Sequence, residues 1–249
     1  MTLNEFFREH PRVALAFSGG VDSAYLLYAA LQAGAVVRAY YVKSPFQPGF
    51  ELEDARRLAR ELGADMVELP LDVLTDENVV KNPANRCYYC KKRIFSAILN
   101  AARADGFDLL MDGTNASDDL SDRPGFRALQ ELRVRSPLRE AGLTKAQIRE
   151  LSRQAGLFTH DKPAYACLAT RIPTGTAITR ELLQKTEAGE AYLRELGFRD
   201  FRIRLLGDAA RLQLREEALP LLLSRRREIL EELKKHYGAV LLDLEVRCE

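Results

Sequence analysis

Two rhythms of apolar and polar positions alternate along the first 160 residues. Residues 12–17 (RVALAF) form an apolar run of strand length, and after SGGVDS a helical stretch follows at 24–35 (AYLLYAALQAGA). Residues 36–44 (VVRAYYVKS) carry β-branched and aromatic side chains and predict a second strand. Leu52, Ala55, Leu58, Ala59 and Leu62 recur at helical spacing, and Gly63 is placed to end that helix. A strand is predicted at 65–72, a loop at 82–92 (NPANRCYYCKK), a helix at 93–106 and a strand at 107–113. A helix at 143–157 has Thr144 as its N-cap and Gly156 as its stop. Strands alternating with helices of this length predict βαβ units. The fold class expected is α/β, a doubly wound, mostly parallel sheet with helices on both faces.

After PTG at 173–175 the rhythm changes. Residues 179–198 have helical spacing, 201–206 and 210–215 read as short strands, 216–238 as mostly helix and 239–247 as a final strand. This order predicts a small C-terminal α+β domain, so the expected division is 1–176 and 177–249. The charges of LSRRREILEELKK alternate in sign along a helix and suit a solvated face.

Composition narrows the class. The chain has 249 residues, 47% hydrophobic and 29% charged, which is ordinary for a globular protein with a buried core. A net charge of +1 gives no global field for nucleic acid or a membrane surface. Gly or charged residues break the longest apolar stretches short of a membrane span, and the N-terminus has no signal-peptide pattern, so a cytoplasmic protein is expected. In a reducing compartment the four cysteines, Cys87, Cys90, Cys167 and Cys248, point to metal binding, catalysis or burial rather than structural disulfides. Cys248, next to the C-terminus, reads as a bystander.

The turn between the first strand and helix carries the strongest chemistry. Gly19 and Gly20 bring backbone N–H groups close to a ligand, and the following helix N-terminus adds unpaired donors and partial positive charge. Ser18 and Ser23 add hydroxyls, completing a cradle for phosphate oxygens. The pattern is neither a Walker A loop nor Gly-x-Gly-x-x-Gly. Asp22 is unexpected beside phosphates, and either Mg²⁺ or a hydrogen bond that shapes the loop accounts for it. Ser-Gly-Gly-Val-Asp-Ser in this setting resembles the PP-loop ATP pyrophosphatases, of the adenine nucleotide alpha hydrolase-like fold, which cleave ATP between the α- and β-phosphates and adenylate a substrate oxygen. The resemblance implies that Ser18, Gly19, Gly20, Asp22 and Ser23 hold the pyrophosphate end of ATP, with Mg²⁺, and that Ser44 contacts the nucleotide. Asp112, Gly113 and Asp118 follow the fourth strand, at the sheet edge where open α/β folds bind ligands, although each suits a turn equally well.

Cys87 and Cys90 stand at metal-ligand spacing, which leaves three readings open. Structural zinc wants four protein ligands, and His160 is the candidate to join the three cysteines. A redox pair would sit at a helix start. An iron–sulfur cluster on three cysteines leaves one iron open. Arg202 and Arg204 alternate along a strand and point to one face, where with Thr170 and Arg171 they could grip an anion.

Taken together, AFSGGVDS, DGTNASDDLSDRPGFRAL, SPLREAGLTKAQIRELSRQAGL, KPAYACLATRIPTGTAIT and LGFRDFRIRLLGDAARLQL resemble the LarE family nearly end to end. These are ATP-dependent sulfur transferases that make the nickel-pincer nucleotide of lactate racemase. The resemblance implies adenylation of a carboxylate of pyridinium-3,5-biscarboxylic acid mononucleotide and its conversion to a thiocarboxylate. It maps Cys167 onto the sulfur-handling residue and Glu190 onto a site position, and gives Thr170, Arg171, Arg202 and Arg204 to the substrate. Single-cysteine members sacrifice that cysteine. Cys87 and Cys90 instead match the three-cysteine type, in which Cys87, Cys90 and Cys167 hold a [4Fe-4S] cluster whose sulfide is transferred. A homo-oligomer and an external sulfide donor are implied with it. The rival readings are a PP-loop tRNA thiolase, an amide-forming PP-loop synthetase, and a nucleotide-binding regulator with structural zinc. Near-neutral charge and the absence of a clear basic RNA-binding module count against the first.

Overall fold

The computed structural model describes residues 1–119 and 124–247, and the chain divides into two compact units. Met1–Thr75 and Asn85–Lys162 form the first; Asp76–Ala84 and Pro163–Glu249 form the second. In chain order the elements run α1 (Leu3–Glu9), β1 (Arg12–Ala16), α2 (Val21–Gln32), β2 (Val36–Lys43), α3 (Gly49–Leu62), β3 (Asp65–Pro70), α4 (Glu77–Val80), α5 (Arg86–Ala104) and β4 (Leu110–Met111). There follow α6 (Pro124–Glu131), α7 (Pro137–Glu140), α8 (Lys145–Gln154), α9 (Arg180–Glu195), β5 (Arg202–Leu206), β6 (Ala209–Gln213), α10 (Leu219–Ser224), α11 (Arg226–Leu233) and β7 (Ala239–Leu242).

The first unit is built on a four-stranded parallel sheet in the order β3-β2-β1-β4. Successive side chains of a strand face opposite sides, and here both sides are buried. Val37, Ala39 and Tyr41 of β2 join Val13 and Leu15 of β1 against α1, α2, α3, α7 and α8. Tyr40 and Val42 join Ala14 against Phe95, Ile98, Leu99 and Ala102 of α5 and Leu129 of α6. The helices linking β1 to β2 and β2 to β3 thus lie on one face, and α5, linking β3 to β4, lies on the other. The winding reverses between β1 and β4, which makes their carboxyl ends the topological switch point. Among the described residues no helix is long and apolar enough to cross a membrane.

Several predicted boundaries need correction. The loop expected at 82–92 ends early, because α5 begins at Arg86 and carries Cys87 and Cys90 in its first turns. Cys90, Phe95, Ile98, Leu99 and Ala102 are buried along that helix, so packing extends it over a stretch whose local sequence looks irregular. The strand expected at 107–113 is paired only at Leu110–Met111. The helix expected at 216–238 breaks at Arg225, and the last strand stops at Leu242.

The second unit pairs β5 with β6 antiparallel and β6 with β7 parallel. Its compact region begins at Pro163 and takes in the segment that carries α4. Ile178 N donates to Val80 O at 2.8 Å and Gly175 N to Asn82 O at 2.8 Å. Asn82 is buried and donates its side-chain amide to Pro173 O at 2.9 Å and Ile172 O at 3.4 Å.

Candidate functional site

The phosphate loop runs from the end of β1 into α2. Gly19 has φ 72°, and a Cβ there would stand 3.0 Å from Ala55 Cβ of α3, so the left-handed turn and the close packing both require glycine. Ser18 N donates to Ser23 Oγ at 3.3 Å, the two hydroxyls lie 3.1 Å apart, and Ser23 Oγ donates to Gly20 O at 3.1 Å. The loop is therefore preorganised, with the first amides of α2 at Val21, Asp22 and Ser23 lacking a carbonyl one turn earlier. A phosphate accepts from such an array and gains from the helix dipole.

Asp22 answers the question its sequence position posed. Its Oδ2 accepts from Lys145 Nζ at 2.5 Å and its Oδ1 from Asn115 Nδ2 at 3.3 Å. The carboxylate shapes the loop and holds a lysine at its rim. Lys162 Nζ, paired with Asp54 at 2.7 Å, also reaches Gly19 O at 3.4 Å. Sequence reading passed over Lys145 and Lys162. The signal for Lys145 was its place directly after the Thr144 N-cap, where the start of α8 fixes its position.

The segment after β4 lies against this loop. A Cβ at Gly113 would stand 2.9 Å from Ser23 N and 3.2 Å from Asp22 Cβ, so only glycine permits this approach. The buried Asp112 carboxylate accepts from Ser136 Oγ at 2.7 Å and Thr114 Oγ1 at 2.5 Å. Asp118 accepts from Asn115 N at 3.0 Å. Ser44 is buried after β2, where its hydroxyl donates to Gln47 Oε1 at 2.5 Å and accepts from Phe46 N at 3.2 Å. Gly113 thus packs directly on the loop, whereas Asp112, Asp118 and Ser44 brace the turns around it.

Cys87 is exposed and Cys90 buried, one turn apart at the start of α5. The buried Arg86 donates from Nη2 to Cys87 Sγ at 3.7 Å. His160 follows α8 on the opposite sheet face from α5, so it does not complete a zinc site with this pair. Among the described residues no group of three or more His, Cys, Asp and Glu side chains is arranged to hold a metal ion. The donor chemistry of two thiolates at helical i, i+3 spacing nevertheless fits a thiophilic metal or cluster. Cys248 lies outside the described residues.

In the second unit Cys167 is half-buried and precedes a 3₁₀ turn, Leu168–Arg171. Thr170 donates to Cys167 O from its N at 3.0 Å and its Oγ1 at 2.8 Å. Arg171 is almost wholly buried; its Nη1 donates to Ala166 O at 2.7 Å and Cys167 O at 3.3 Å. Its Nε and Nη2 meet the two oxygens of Glu190, on α9, at 2.8 and 3.0 Å. Burial works against the Arg171 charge, but the Glu190 hydrogen bonds and charge outweigh it and hold the guanidinium above its ordinary pKa. Glu190, also buried, accepts from Tyr165 OH at 2.5 Å and Ile203 N at 3.0 Å. The structure therefore turns Arg171 and Glu190 toward each other, bracing the backbone of Cys167.

Arg202 and Arg204 share one face of β5, as their alternation predicts. Arg204 Nη1 donates to Thr170 O at 2.8 Å, and Arg202 donates to Ala164 O and to Phe201 O. The nearest Asp200 oxygen is 3.7 Å from Arg202. Burial, then repulsion from Arg171, lowers the Arg202 pKa to about 10, and the same causes lower that of Arg204. Two guanidiniums held on carbonyls with little negative charge in contact form an environment that an anion would stabilise.

No family model matches the chain. It is 39% identical over 221 residues to an uncharacterised protein of Synechocystis sp., covering 87% of this chain and 81% of the relative. To the pyridinium-3,5-bisthiocarboxylic acid mononucleotide synthase of Lactiplantibacillus plantarum it is 36% identical over 217 residues, covering 86% and 79%. A tRNA-specific 2-thiouridylase of Thermotoga neapolitana is 24% identical over 193 residues, covering 61% and 54%. Identity at the level of the synthase, sustained over most of both chains and joined to a PP-loop fold, places the protein in the LarE family of ATP-dependent sulfur-transferring enzymes.

Proposed function

We propose that this protein converts a carboxylate of pyridinium-3,5-biscarboxylic acid mononucleotide to a thiocarboxylate, using ATP. The observation that carries the reading is the paired Arg202, buried, and Arg204, half-buried, beside the Cys167 block with neutral carbonyls as their closest partners. They suit the phosphate of a nucleotide substrate. ATP, with its Mg²⁺, is assigned to the cradle of Ser18, Gly19, Gly20 and Ser23, shaped by Asp22 and packed by Gly113, with Lys145 beside the leaving pyrophosphate. Ser44 and Asp112 act by bracing the turns around it.

In this reaction the substrate carboxylate attacks the α-phosphorus, and pyrophosphate leaves. The carboxylate oxygen becomes part of AMP, a far better leaving group than oxide. A sulfur nucleophile then attacks the acyl carbon, and nearby cations stabilise the charge that builds on oxygen. Cys167 is the residue assigned to sulfur, with Thr170, Arg171 and Glu190 fixing its backbone. We assign Cys87, Cys90 and Cys167 as thiolate ligands of a [4Fe-4S] cluster, which when bound would supply an open iron able to carry sulfide from an external donor. A homo-oligomer belongs to the same reading, supported by Leu241 and Leu242 on the edge strand β7 and by the exposed Leu244 beyond it.

The test is anaerobic reconstitution with iron and sulfide, followed by turnover with ATP and the dicarboxylate nucleotide in wild type and a Cys87→Ala variant. About four irons per chain with a broad visible band, lost in the variant, are expected, together with AMP, pyrophosphate and a thiocarboxylate. One turnover with dehydroalanine at position 167 and no bound iron would overturn the cluster and leave the sulfur transfer. Thiolation of tRNA in place of the nucleotide would overturn the substrate.

A further inference from the structure

Tyr165, two residues before Cys167, sits at the centre of the charged cluster of the second unit. Its hydroxyl donates to Glu190 Oε2 at 2.5 Å. The Arg171 guanidinium carbon lies 4.5 Å from the ring centroid and that of Arg202 lies 5.0 Å from it. The carbonyls on either side of Tyr165 are held by the same two arginines: Ala164 O by Arg202 and Ala166 O by Arg171. One aromatic ring therefore serves two buried cations that repel each other: Arg171 is hydrogen-bonded to the Glu190 carboxylate at 2.8 Å, whereas Arg202 has the more distant Asp200 oxygen at 3.7 Å. The negative face of the ring supplies Arg202 with part of the stabilisation that Glu190 gives Arg171. The hydrogen bond to Glu190 anchors the ring between the two guanidiniums.

We propose that Tyr165 is a positioning residue for the substrate phosphate: anchored on Glu190 by its hydroxyl, its ring holds the Arg202 guanidinium in place as an anion ligand. This rests on the assignment of Arg202 to the phosphate. The ring contributes orientation and charge stabilisation, and the residue touches no reacting atom. Its removal therefore acts on substrate affinity more than on the chemical step.

The experiment titrates the full chain with inorganic phosphate and measures KM and kcat with the dicarboxylate nucleotide, in Tyr165→Leu, Tyr165→Phe, Arg202→Met and the Tyr165→Leu/Arg202→Met double variant. Loss of a desolvated cation–π contact predicts phosphate binding weakened and KM raised roughly ten- to thirtyfold in Tyr165→Leu, with kcat much less affected. Tyr165→Phe, which keeps the ring, restores most of the affinity. The double variant loses little beyond Arg202→Met, because both changes act through one guanidinium. If Arg202→Met leaves phosphate binding and KM unchanged, the assignment of Arg202 itself fails, and this inference with it. If Arg202→Met weakens binding while Tyr165→Leu does not, or the two losses add, the role of Tyr165 alone is overturned. Equal damage from Phe and Leu also overturns it, since the ring would then not be the cause. Should Tyr165→Leu not fold, Tyr165→Met takes its place in the same comparison.

Discussion

Replacing Arg171 with Met separates two roles that the residue could have. The guanidinium and the Glu190 carboxylate are 0% and 2% exposed, joined by two hydrogen bonds of 2.8 and 3.0 Å. Removing one partner of such a pair leaves a buried charge uncompensated, at a cost of about 3–5 kcal/mol. Glu190 would keep Tyr165 OH and Ile203 N as donors, which favours the lower end of that range. The Ala166 and Cys167 carbonyls would lose a donor as well. Denaturant unfolding followed by circular dichroism measures the loss, and a thermal midpoint lowered by roughly 6–20 °C is the corresponding expectation. Adding Glu190→Gln to the variant removes the stranded charge, so the double variant should recover at least about 1 kcal/mol. A loss of less than about 1 kcal/mol, combined with a large rise in KM, would refute the argument and return Arg171 to direct substrate binding.

Three further outcomes are expected. Gly113→Ala places a methyl group 2.9 Å from Ser23 N, where backbone must move to receive it. Binding of a non-hydrolysable ATP analogue, read by calorimetry, should weaken roughly tenfold or more, and unchanged affinity would disconnect Gly113 from the loop. Asn82→Ala removes the donor from the Ile172 and Pro173 carbonyls and should cost about 1–3 kcal/mol of unfolding free energy, whereas a neutral result would mean that water replaces the amide. Glu131 accepts from Lys92, Tyr88 and Arg127, and these contacts, that of Lys92 foremost, hold its carboxyl at about 2, below the ordinary 4.5. A depressed folded-state value stabilises above the unfolded pKa and is lost as pH falls through the folded one, so the contribution fades between about 4.5 and 2. Glu131→Gln should flatten the acid limb of the stability profile in that window, and an identical limb would count against the tether.

The parallel α/β unit and its phosphate loop could be read from the sequence because both are local. Strand runs such as RVALAF and VVRAYYVKS, buried on two faces, carry their signal in every residue, and SGGVDS lies directly between a strand and a helix. The same locality let alternation place Arg202 and Arg204 on one face of β5. The start of α5 was not legible, since burial of Cys90, and of Phe95 against the sheet, overrides the irregular appearance of NPANRCYYCKK. Nor was the division into compact units, in which the 76–84 segment bonds to residues 172–178, nearly a hundred positions later. The partners of the charges were the other half of what tertiary structure decided. Asp22 meets Lys145 across 123 positions, and Arg171 meets Glu190 instead of solvent. A sequence shows which residues can carry charge or donate a bond. Which charge is neutralised inside the protein, and which is left for a ligand, depends on distances that only the folded chain sets.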